Sequence, residues 1–349
     1  GSGQSNRATT YLEVSGVDFA TDSTVVLTDE KGNIYAPAVV NFVDSTRLKL
    51  EFAAGTLAAG NYTLSVSANG ETVTYDDKIN ITSESGARFD LTFSAPSVVG
   101  RHAAATLSVS YKNSGYDAMD SVMVVIAPKQ YHNGKNPTEG AYITLDKDSV
   151  NQGFWTSNLP SGFAYSLSFL ATGESSGMIM PGESISVPVY YTGWRTDDWD
   201  FGNSYIDWNV YYVSQENTSL LDWNVQLAGS NYSDDCRSFL VNALSASVGT
   251  TWGAYVSVLS KNLKYLDDLG ASAAVSGTGT HAADSSALYG FEIKQVTGQL
   301  SPYQILQTAT DFSLKNSSLK LDVTRKYSSD ALTRYEKSSF GYGWTCNWD

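Results

Sequence analysis

The sequence predicts a mainly β protein, in which tandem β-sandwiches lead into a short helical linker and further strands. One observation is composition: 29 glycines, 22 tyrosines and 8 tryptophans accompany only 17% charged residues, and aromatic residues suit half-buried pleated surfaces. Another is patterning, because short runs of β-forming residues alternate with turn residues along most of the chain. The third is length, since 349 residues correspond to two or three domains at roughly 100 to 200 residues each.

The charge balance excludes one class of partner. The formal net charge is −14, from 22 Lys and Arg against 36 Asp and Glu. Nucleic-acid binding needs a clustered basic surface, so we expect no nucleic-acid partner. No apolar run reaches the ~18 residues of a bilayer-spanning helix, so we expect no membrane insertion in this segment. The sequence GSGQS at residues 1–5 lacks the basic and then apolar pattern of a signal peptide, and residues 1–9 are interpreted as an appended tag or linker.

Residues 10–82 are predicted to form the first sandwich. Six strand-like runs alternate with turn residues such as those of Asn69-Gly70. The runs are residues 11–14, 24–27, 38–43, 47–52, 61–66 and 71–75. The sequences VSGVDF at 14–19 and LAAGNYTL at 57–64 resemble the IPT/TIG branch of immunoglobulin-like domains. That resemblance implies an Ig-like spacer or interaction module.

A larger sandwich is predicted over residues 86–233. Residues 89–93, 104–111 and 121–128 follow the order strand, strand, turn, strand. The sequence YKNSG at 111–115 and the late strand at 182–191 resemble bacterial cell-adhesion-related sandwich domains. The resemblance implies one enlarged adhesion-type domain, with insertions at 130–137 and 154–180.

Residues 234–311 are predicted as a helical linker region. From Phe239 to Leu269, apolar residues recur at intervals of three and four, the spacing of one face of an α-helix. One or two amphipathic helices are expected, ending at Gly270, because glycine accepts the left-handed conformation that closes a helix. A loop is expected at 271–286 and another helical piece at about 285–295.

The most specific motif lies in residues 312–349. Leu319, Leu321 and Val323 alternate as one face of a strand, which continues into the sequence TRKYSS. The sequence FGYGWTCNWD follows at 340–349, where glycines permit a kinked backbone beside large rings. From the residues alone this is an aromatic packing element.

This C-terminal element resembles the opening of an RHS/YD-repeat shell. The matching residues are Arg325, Tyr327, Phe340, Gly341, Gly343, Trp344 and Asp349. Cys346 stands where that family often has a polar residue. The resemblance implies that the chain is the leader region of an RHS-repeat protein, followed by a shell of β-hairpins and, in some members, by a toxin.

The two cysteines leave two alternatives open. Cys236 and Cys346 are too far apart in the sequence for a zinc knuckle or a CxxC motif. A long-range disulfide and two independent thiols are both compatible with this spacing.

Two ligand sites are candidates between residues 194 and 208. Asp197, Asp198 and Asp200 concentrate the oxygen ligands that Ca²⁺ prefers, although the EF-hand spacing and its final glutamate are missing. The alternative is a solvated acidic loop. Trp194, Trp199 and Trp208 lie in the same region. Their rings either stack on a bound sugar or pack in the core of the sandwich, and the sequence leaves both interpretations open.

No motif points to catalysis. His102, His132 and His281 are isolated from one another and have no nucleophile motif beside them. The sequence therefore predicts a non-catalytic spacer or adhesion region, bacterial and extracellular or on the cell surface. Its expected partners are other domains of the parent protein and a cell-surface protein or glycan. A carbohydrate-binding module is the alternative, and a hydrolase a weaker one. No cofactor is expected, with Ca²⁺ at the acidic loop as the alternative.

Overall fold

The computed structural model describes residues 3–100, 103–132, 135–139, 141–152, 159, 161–192, 205–276, 281–299, 306–316, 319–330 and 332–348. In these residues strands predominate over helices, and they form several small sheets. The protein is therefore mainly β, as the sequence predicts. It divides into two compact units, Gly1–Ser214 with Leu259–Ser285, and Gln215–Val258 with Ser286–Asp349.

The first sandwich has two facing sheets, ordered β1-β8-β7-β3-β4 and β2-β6-β5. All six strand-like runs predicted from the sequence are strands. Two further strands, β1 and β4, have two residues each and are too short to show a period. β1 lies within residues 1–9, interpreted from the sequence as a tag or linker, and it pairs with β8. The strands are β1 (Gln4–Ser5), β2 (Thr10–Ser15), β3 (Thr24–Asp29), β4 (Ile34–Tyr35), β5 (Val39–Asp44), β6 (Arg47–Phe52), β7 (Gly60–Ala68) and β8 (Glu71–Thr82).

Alternation along the strands builds the core of this sandwich. In β6, Leu48, Leu50 and Phe52 are buried while the residues between them reach the other face, as the two-residue period of a strand requires. They pack with Leu27 and Tyr62 of the opposite sheet. The β7–β8 hairpin turns at Asn69-Gly70, where both residues have positive φ (51° and 83°), as a type I′ turn demands.

The second sandwich faces the sheet β14-β17-β10-β9 with the sheet β13-β12-β15-β19, and β18 also pairs with β12. A small pair, β11 with β16, and a 3-10 turn at Asp148–Gln152 complete it. The strands are β9 (Phe89–Ser94), β10 (Ala105–Asn113), β11 (Met119–Asp120), β12 (Val122–His132), β13 (Lys135–Glu139), β14 (Ile143–Thr144), β15 (Leu167–Ala171), β16 (Met178–Ile179), β17 (Ser184–Tyr191), β18 (Tyr205–Val213) and β19 (Ala282–Asp284).

Three expectations for this sandwich are corrected by the structure. The segment 154–180, expected as an insertion, contains the core strand β15. The insertion expected at 130–137 contains strand residues, because the end of β12 pairs with β13. Within the loop expected at 271–286, β19 joins the sheet beside β15, where the small side chains of Ala282 and Ala283 are buried.

The helices are α1 (Trp223–Gln226), α2 (Asp234–Ser247), α3 (Trp252–Asp268), α4 (Ala273–Ser276) and α5 (Ser285–Thr297). The two predicted amphipathic helices are α2 and α3. Ser233 caps α2, since its Oγ accepts a hydrogen bond from the Cys236 amide at 3.3 Å. Gly270 has the expected positive φ, 68°, just beyond α3. None of the helices in the described part of the chain has both the length and the apolar character needed to cross a membrane.

The C-terminal strands form the sheet β20-β21-β24 and the pair β22-β23. A 3-10 turn, Thr333–Tyr335, precedes β22. The strands are β20 (Leu306–Asn316), β21 (Leu319–Ser328), β22 (Lys337–Ser338), β23 (Gly341–Tyr342) and β24 (Trp344–Cys346).

Candidate functional site

The C-terminal sheet is a long hairpin with a short third strand. β20 and β21 pair antiparallel from Leu306↔Ser328 to Asn316↔Leu319, with an irregularity between Thr310 and Phe312. A bulge of this kind leaves one residue, Asp311, without a partner across the ladder. The Asp311 carboxylate instead lies 3.2 Å from Nε of Arg325 on β21. The bulge is therefore tied to the neighbouring strand by an ion pair.

Four residues of the C-terminal motif come together at the third strand. Tyr327 is directly opposite Trp344, and their ring centroids are 5.3 Å apart. The Arg325 guanidinium lies 4.7 Å from the Trp344 ring centroid, in the range of a cation–π contact. Gly343, with φ 75°, passes so close that a Cβ there would lie 2.8 Å from Cε2 of Tyr327. A glycine is therefore required at this position.

The other motif residues contribute differently. Gly341, with φ 106°, has open space around its Cα, so its requirement is conformational alone. Phe340 lies exposed in the turn between β22 and β23. Asp349 lies outside the described residues. Two residues that do not carry the resemblance also contact β21: Asn347 donates from Nδ2 and Trp348 from Nε1 to the Asp322 carbonyl, at 2.9 and 2.8 Å.

The outer strand of this sheet, β20, is open. Among the described strands it pairs only with β21. Phe312 and Leu314 have 49% and 51% of their surface exposed. A strand edge with unpaired backbone groups beside exposed apolar side chains is a template for pairing with another strand.

The two cysteines are both thiols, with no disulfide between them. Cys236 is buried in the first turn of α2, and Cys346 is half-buried at the end of β24. Burial, followed by the negative charge of Glu336, raises the pKa of the Cys236 thiol. The neutral thiol is thus favoured, and this is the unreactive form.

The residues proposed for Ca²⁺ and carbohydrate binding are only partly described. Asp197, Asp198 and Asp200 lie outside the described residues, as do Trp194 and Trp199, and the predictions for them stay predictions. Among the residues that are described, no group of three or more His, Cys, Asp and Glu side chains is arranged to hold a metal ion.

Trp208 points into the second sandwich. Its ring centroid lies 5.6 Å from that of Phe93 and 5.9 Å from that of Tyr191. Ile206 and Val210, which lie on the same face of β18 as Trp208, also pack against the core. The ring of Trp208 is therefore a packing group, and the side chains at odd-numbered positions of β18 face outward.

The outward side of β18 and the neighbouring part of β12 forms a surface that we call the tyrosine face. Tyr131 is opposite Tyr205 and Lys129 is opposite Asp207 in the strand register. The rings of Tyr131 and Tyr205 are stacked, with centroids 4.6 Å apart and planes 10° apart. The tyrosine face consists of Lys129, Tyr131, Tyr205, Asp207, Asn209 and Tyr211.

A cluster of ion pairs, which we call the charged joint, lies between the first sandwich and the end of α3. The Asp267 carboxylate is 1% exposed and lies 2.5 Å from Nζ of Lys49 and 3.4 Å from a guanidinium nitrogen of Arg47. Lys49 also reaches Asp268 at 2.9 Å. Ser272 donates a further hydrogen bond to Asp267 at 3.0 Å. The buried carboxylate is thus fully engaged, which a buried charge requires.

The one histidine whose side chain is described, His281, has structural neighbours. Its Nδ1 lies 3.2 Å from the Gly173 carbonyl and its Nε2 lies 3.7 Å from the Glu174 carboxylate. The backbone carbonyl of His281 accepts a hydrogen bond from the hydroxyl of Tyr111 at 2.7 Å. These contacts tie β19 to the second sandwich.

Comparison with known protein families finds a match at the C-terminus. A family model described as a domain of unknown function, DUF6531, matches residues 293–349. This range contains the end of α5 and the whole C-terminal sheet. No curated protein matches the chain.

The solved structures that resemble the chain do so weakly. A Salmonella alpha-2-macroglobulin mutant is 9% identical, with a TM-score of 0.18, over 64% of this chain and 15% of that one. The native conformation of E. coli alpha-2-macroglobulin is 7% identical, with a TM-score of 0.18, over 94% of this chain and 16% of that one. A chaperone–tip adhesin complex of CFA/I fimbriae is 9% identical, with a TM-score of 0.15, over 60% of this chain and 84% of that one. The chain spans 15% and 16% of the two macroglobulins, and TM-scores this low support no argument about function.

Proposed function

We propose that this chain is a non-catalytic spacer and adhesion region of a large bacterial surface or secreted protein, and that its C-terminal sheet opens an RHS/YD-repeat shell. The observation that carries the proposal is the open strand β20, with Phe312 and Leu314 exposed beside it. Burial of such side chains is favourable at roughly 25 cal/mol per Å² of apolar surface. A following hairpin would complete the sheet and cover them.

The sequence motifs support the same assignment. The TRKYSS and FGYGWTCNWD segments resemble the opening of such a shell. Arg325, Tyr327, Gly343 and Trp344, which carry that resemblance, make one packed cluster through the contacts described above. Their role here is to hold the third strand on the hairpin.

The preceding sandwiches support the spacer role. Each has its own buried core, and the first sandwich carries the sequence features that resemble an IPT/TIG-like module. The charged joint would limit the motion of this sandwich relative to α3, which suits an element that spaces other parts. Other domains of the parent protein and a cell-surface protein or glycan are the proposed partners.

The test of the shell assignment is the gene sequence that follows the codon of Asp349. Repeated segments containing Tyr-Asp pairs spaced by glycine and tyrosine are expected. Their absence would contradict the shell assignment.

A second test uses protein. The double substitution Phe312→Ser with Leu314→Ser is introduced into this chain and into the same chain extended by the residues its gene encodes next. We expect the loss in the extended protein, where these side chains are covered, to exceed the loss in the present chain, where they are half-exposed, by ~1–2 kcal/mol. Val73→Ser, at an exposed position of β8, is the matched control and should leave both proteins unchanged. Equal losses in the two proteins would contradict the proposal.

A further inference from the structure

The tyrosine face differs from the rest of the second sandwich in what it presents. At one end of the same outward surface, Met123 and Val213 are buried. Toward the other end, Tyr211 is 45% exposed and Tyr205 is 53% exposed. An antiparallel sheet with one face on the core normally directs its apolar residues inward and its polar residues outward. Here aromatic rings lie on the outward side as well, so packing in the core does not account for them.

The order of side chains along β18 is regular. Tyr205, Asp207, Asn209 and Tyr211 lie on one side of an uninterrupted register with β12. At ~3.4 Å per residue the two tyrosines are about 20 Å apart. The surface is therefore an elongated strip with an aromatic ring at each end and polar groups between them.

The chemistry of the strip favours a neutral, hydroxyl-rich ligand. Its cation, Lys129, stands opposite its anion, Asp207, so the strip has no net charge although the chain carries −14. Each of its side chains ends in a hydroxyl, amide, carboxylate or ammonium, and each of these can bond a ligand hydroxyl. The tyrosine rings add apolar faces on which the C–H side of a pyranose ring can pack.

We propose that the tyrosine face binds a neutral oligosaccharide that lies along β18. The Tyr131–Tyr205 pair would hold one end of the glycan and Tyr211 the other, with Asp207, Asn209 and Lys129 bonding the hydroxyls between them. This rests on the proposed adhesion function, for which it names the partner class and the surface. It replaces Trp208, the described member of the tryptophan set suggested by the sequence, with the residues on the opposite side of the same strand.

The test is titration of the whole chain with neutral hexasaccharides, namely cellohexaose, chitohexaose and maltohexaose, followed by calorimetry and by the NMR shifts of β18. Hexagalacturonic acid serves as the anionic comparison. We expect at least one neutral hexasaccharide to bind more tightly than the anionic one. Tyr205→Ala should weaken that binding at least ~10-fold, and Tyr211→Ala and Asn209→Ala by several-fold. Tyr265→Ala, which removes an exposed tyrosine of α3, should leave the affinity unchanged.

Two results would overturn the proposal. One is the absence of binding by all three neutral hexasaccharides at millimolar concentration. The other is unchanged binding by the Tyr205→Ala variant when its circular dichroism shows the wild-type fold. Adhesion of the wild-type chain to cells is measured in parallel. It distinguishes a failure of the glycan-binding proposal from a failure of the proposed adhesion function. If cells bind the wild type and the Tyr205→Ala variant equally, adhesion stands and uses another surface, such as one that recognises a protein.

Discussion

The first sandwich and the C-terminal sheet are built from similar strands but differ in what covers them. In β6 every second side chain is buried against a facing sheet, whereas Phe312 and Leu314 on β20 are about half exposed. Phe312 and Leu314 alternate with polar neighbours at the end of β20, as the apolar residues of β6 do along that whole strand. The alternation of residues along a strand therefore specifies which face of the sheet is apolar, and a second layer is needed to bury that face.

The largest expected difference concerns the cores. Phe52→Ala removes a fully buried ring from the first sandwich and should cost about 3–5 kcal/mol, because it leaves a cavity. Phe312→Ala should cost only about 1 kcal/mol, because half of its surface is already exposed. Urea unfolding of the two variants measures both. Comparable losses would mean that β20 is packed as tightly as β6.

The charged joint should give the next largest effect. Asp267→Asn leaves Lys49 and Arg47 without their buried partner and should lower the free energy of unfolding by about 2–3 kcal/mol. This is less than the ~3–5 kcal/mol typical of breaking a fully buried ion pair, because both cations reach solvent. Asp90→Asn, which breaks the surface pair with Arg88, is the control and should change stability by under ~0.5 kcal/mol. A loss for Asp267→Asn no larger than for this control would show that the joint contributes nothing.

The two motif glycines should separate conformational strain from steric strain. Gly341→Ala places an L residue at positive φ, which costs ~1–2 kcal/mol. Gly343→Ala adds a collision with Tyr327 and should cost more, releasing β24 from β21. Amide hydrogen exchange of β24 reports the release directly. Equal exchange in the two variants would indicate that Tyr327 moves aside without loss.

The smallest expected effect is that of pH on the stability of the two sandwiches. Burial raises the pKa of Glu13 and of Glu183 above the ordinary 4.5. Between 4.5 and the raised values the folded chain binds more protons than the unfolded chain, so this contribution to stability falls as pH rises through that window. Hydrogen bonds from Asn33 lower the pKa of the Asp29 carboxyl below its ordinary 3.8. The contribution of Asp29 to stability is therefore present above pH 3.8 and is lost only as the pH falls below that value.

This pH dependence is measured by thermal unfolding from pH 4.5 to 7. Glu13→Gln and Glu183→Gln should each flatten the decline in stability with rising pH, whereas Glu71→Gln, at an exposed position of β8, is the control. An unchanged slope in both the Glu13 and the Glu183 variant would contradict the stated cause.

The sequence predicts strands well where one face is buried and the other is solvated. The β6 segment shows this alternation, and its boundaries were predicted correctly. In β15, Phe169, Leu170 and Ala171 are all buried, so the two-residue period disappears and the strand was missed. The three residues of β19 are too few to show any period.

Functional side chains are harder to predict from the sequence than strands, for a different reason. The composition of β18 identifies an aromatic strand, but its sequence alternates between two plausible faces, and only the sandwich decides that Trp208 points inward. The charged joint has no sequence signal, because Arg47 and Lys49 meet Asp267 from a distant part of the chain. The C-terminal cluster was predictable because its residues are close in sequence and its glycines mark the tight turns.

Native-state hydrogen exchange tests the central claim, that the sandwiches are closed whereas the C-terminal sheet is open. Buried strands exchange mainly by global unfolding, and open edges by local fluctuation. The account predicts that amides of β7, paired on both sides, are protected to the level of global unfolding, while those of β20 exchange at least ~100-fold faster, with alternate amides almost unprotected. Equal protection of β20 and β7 would contradict it.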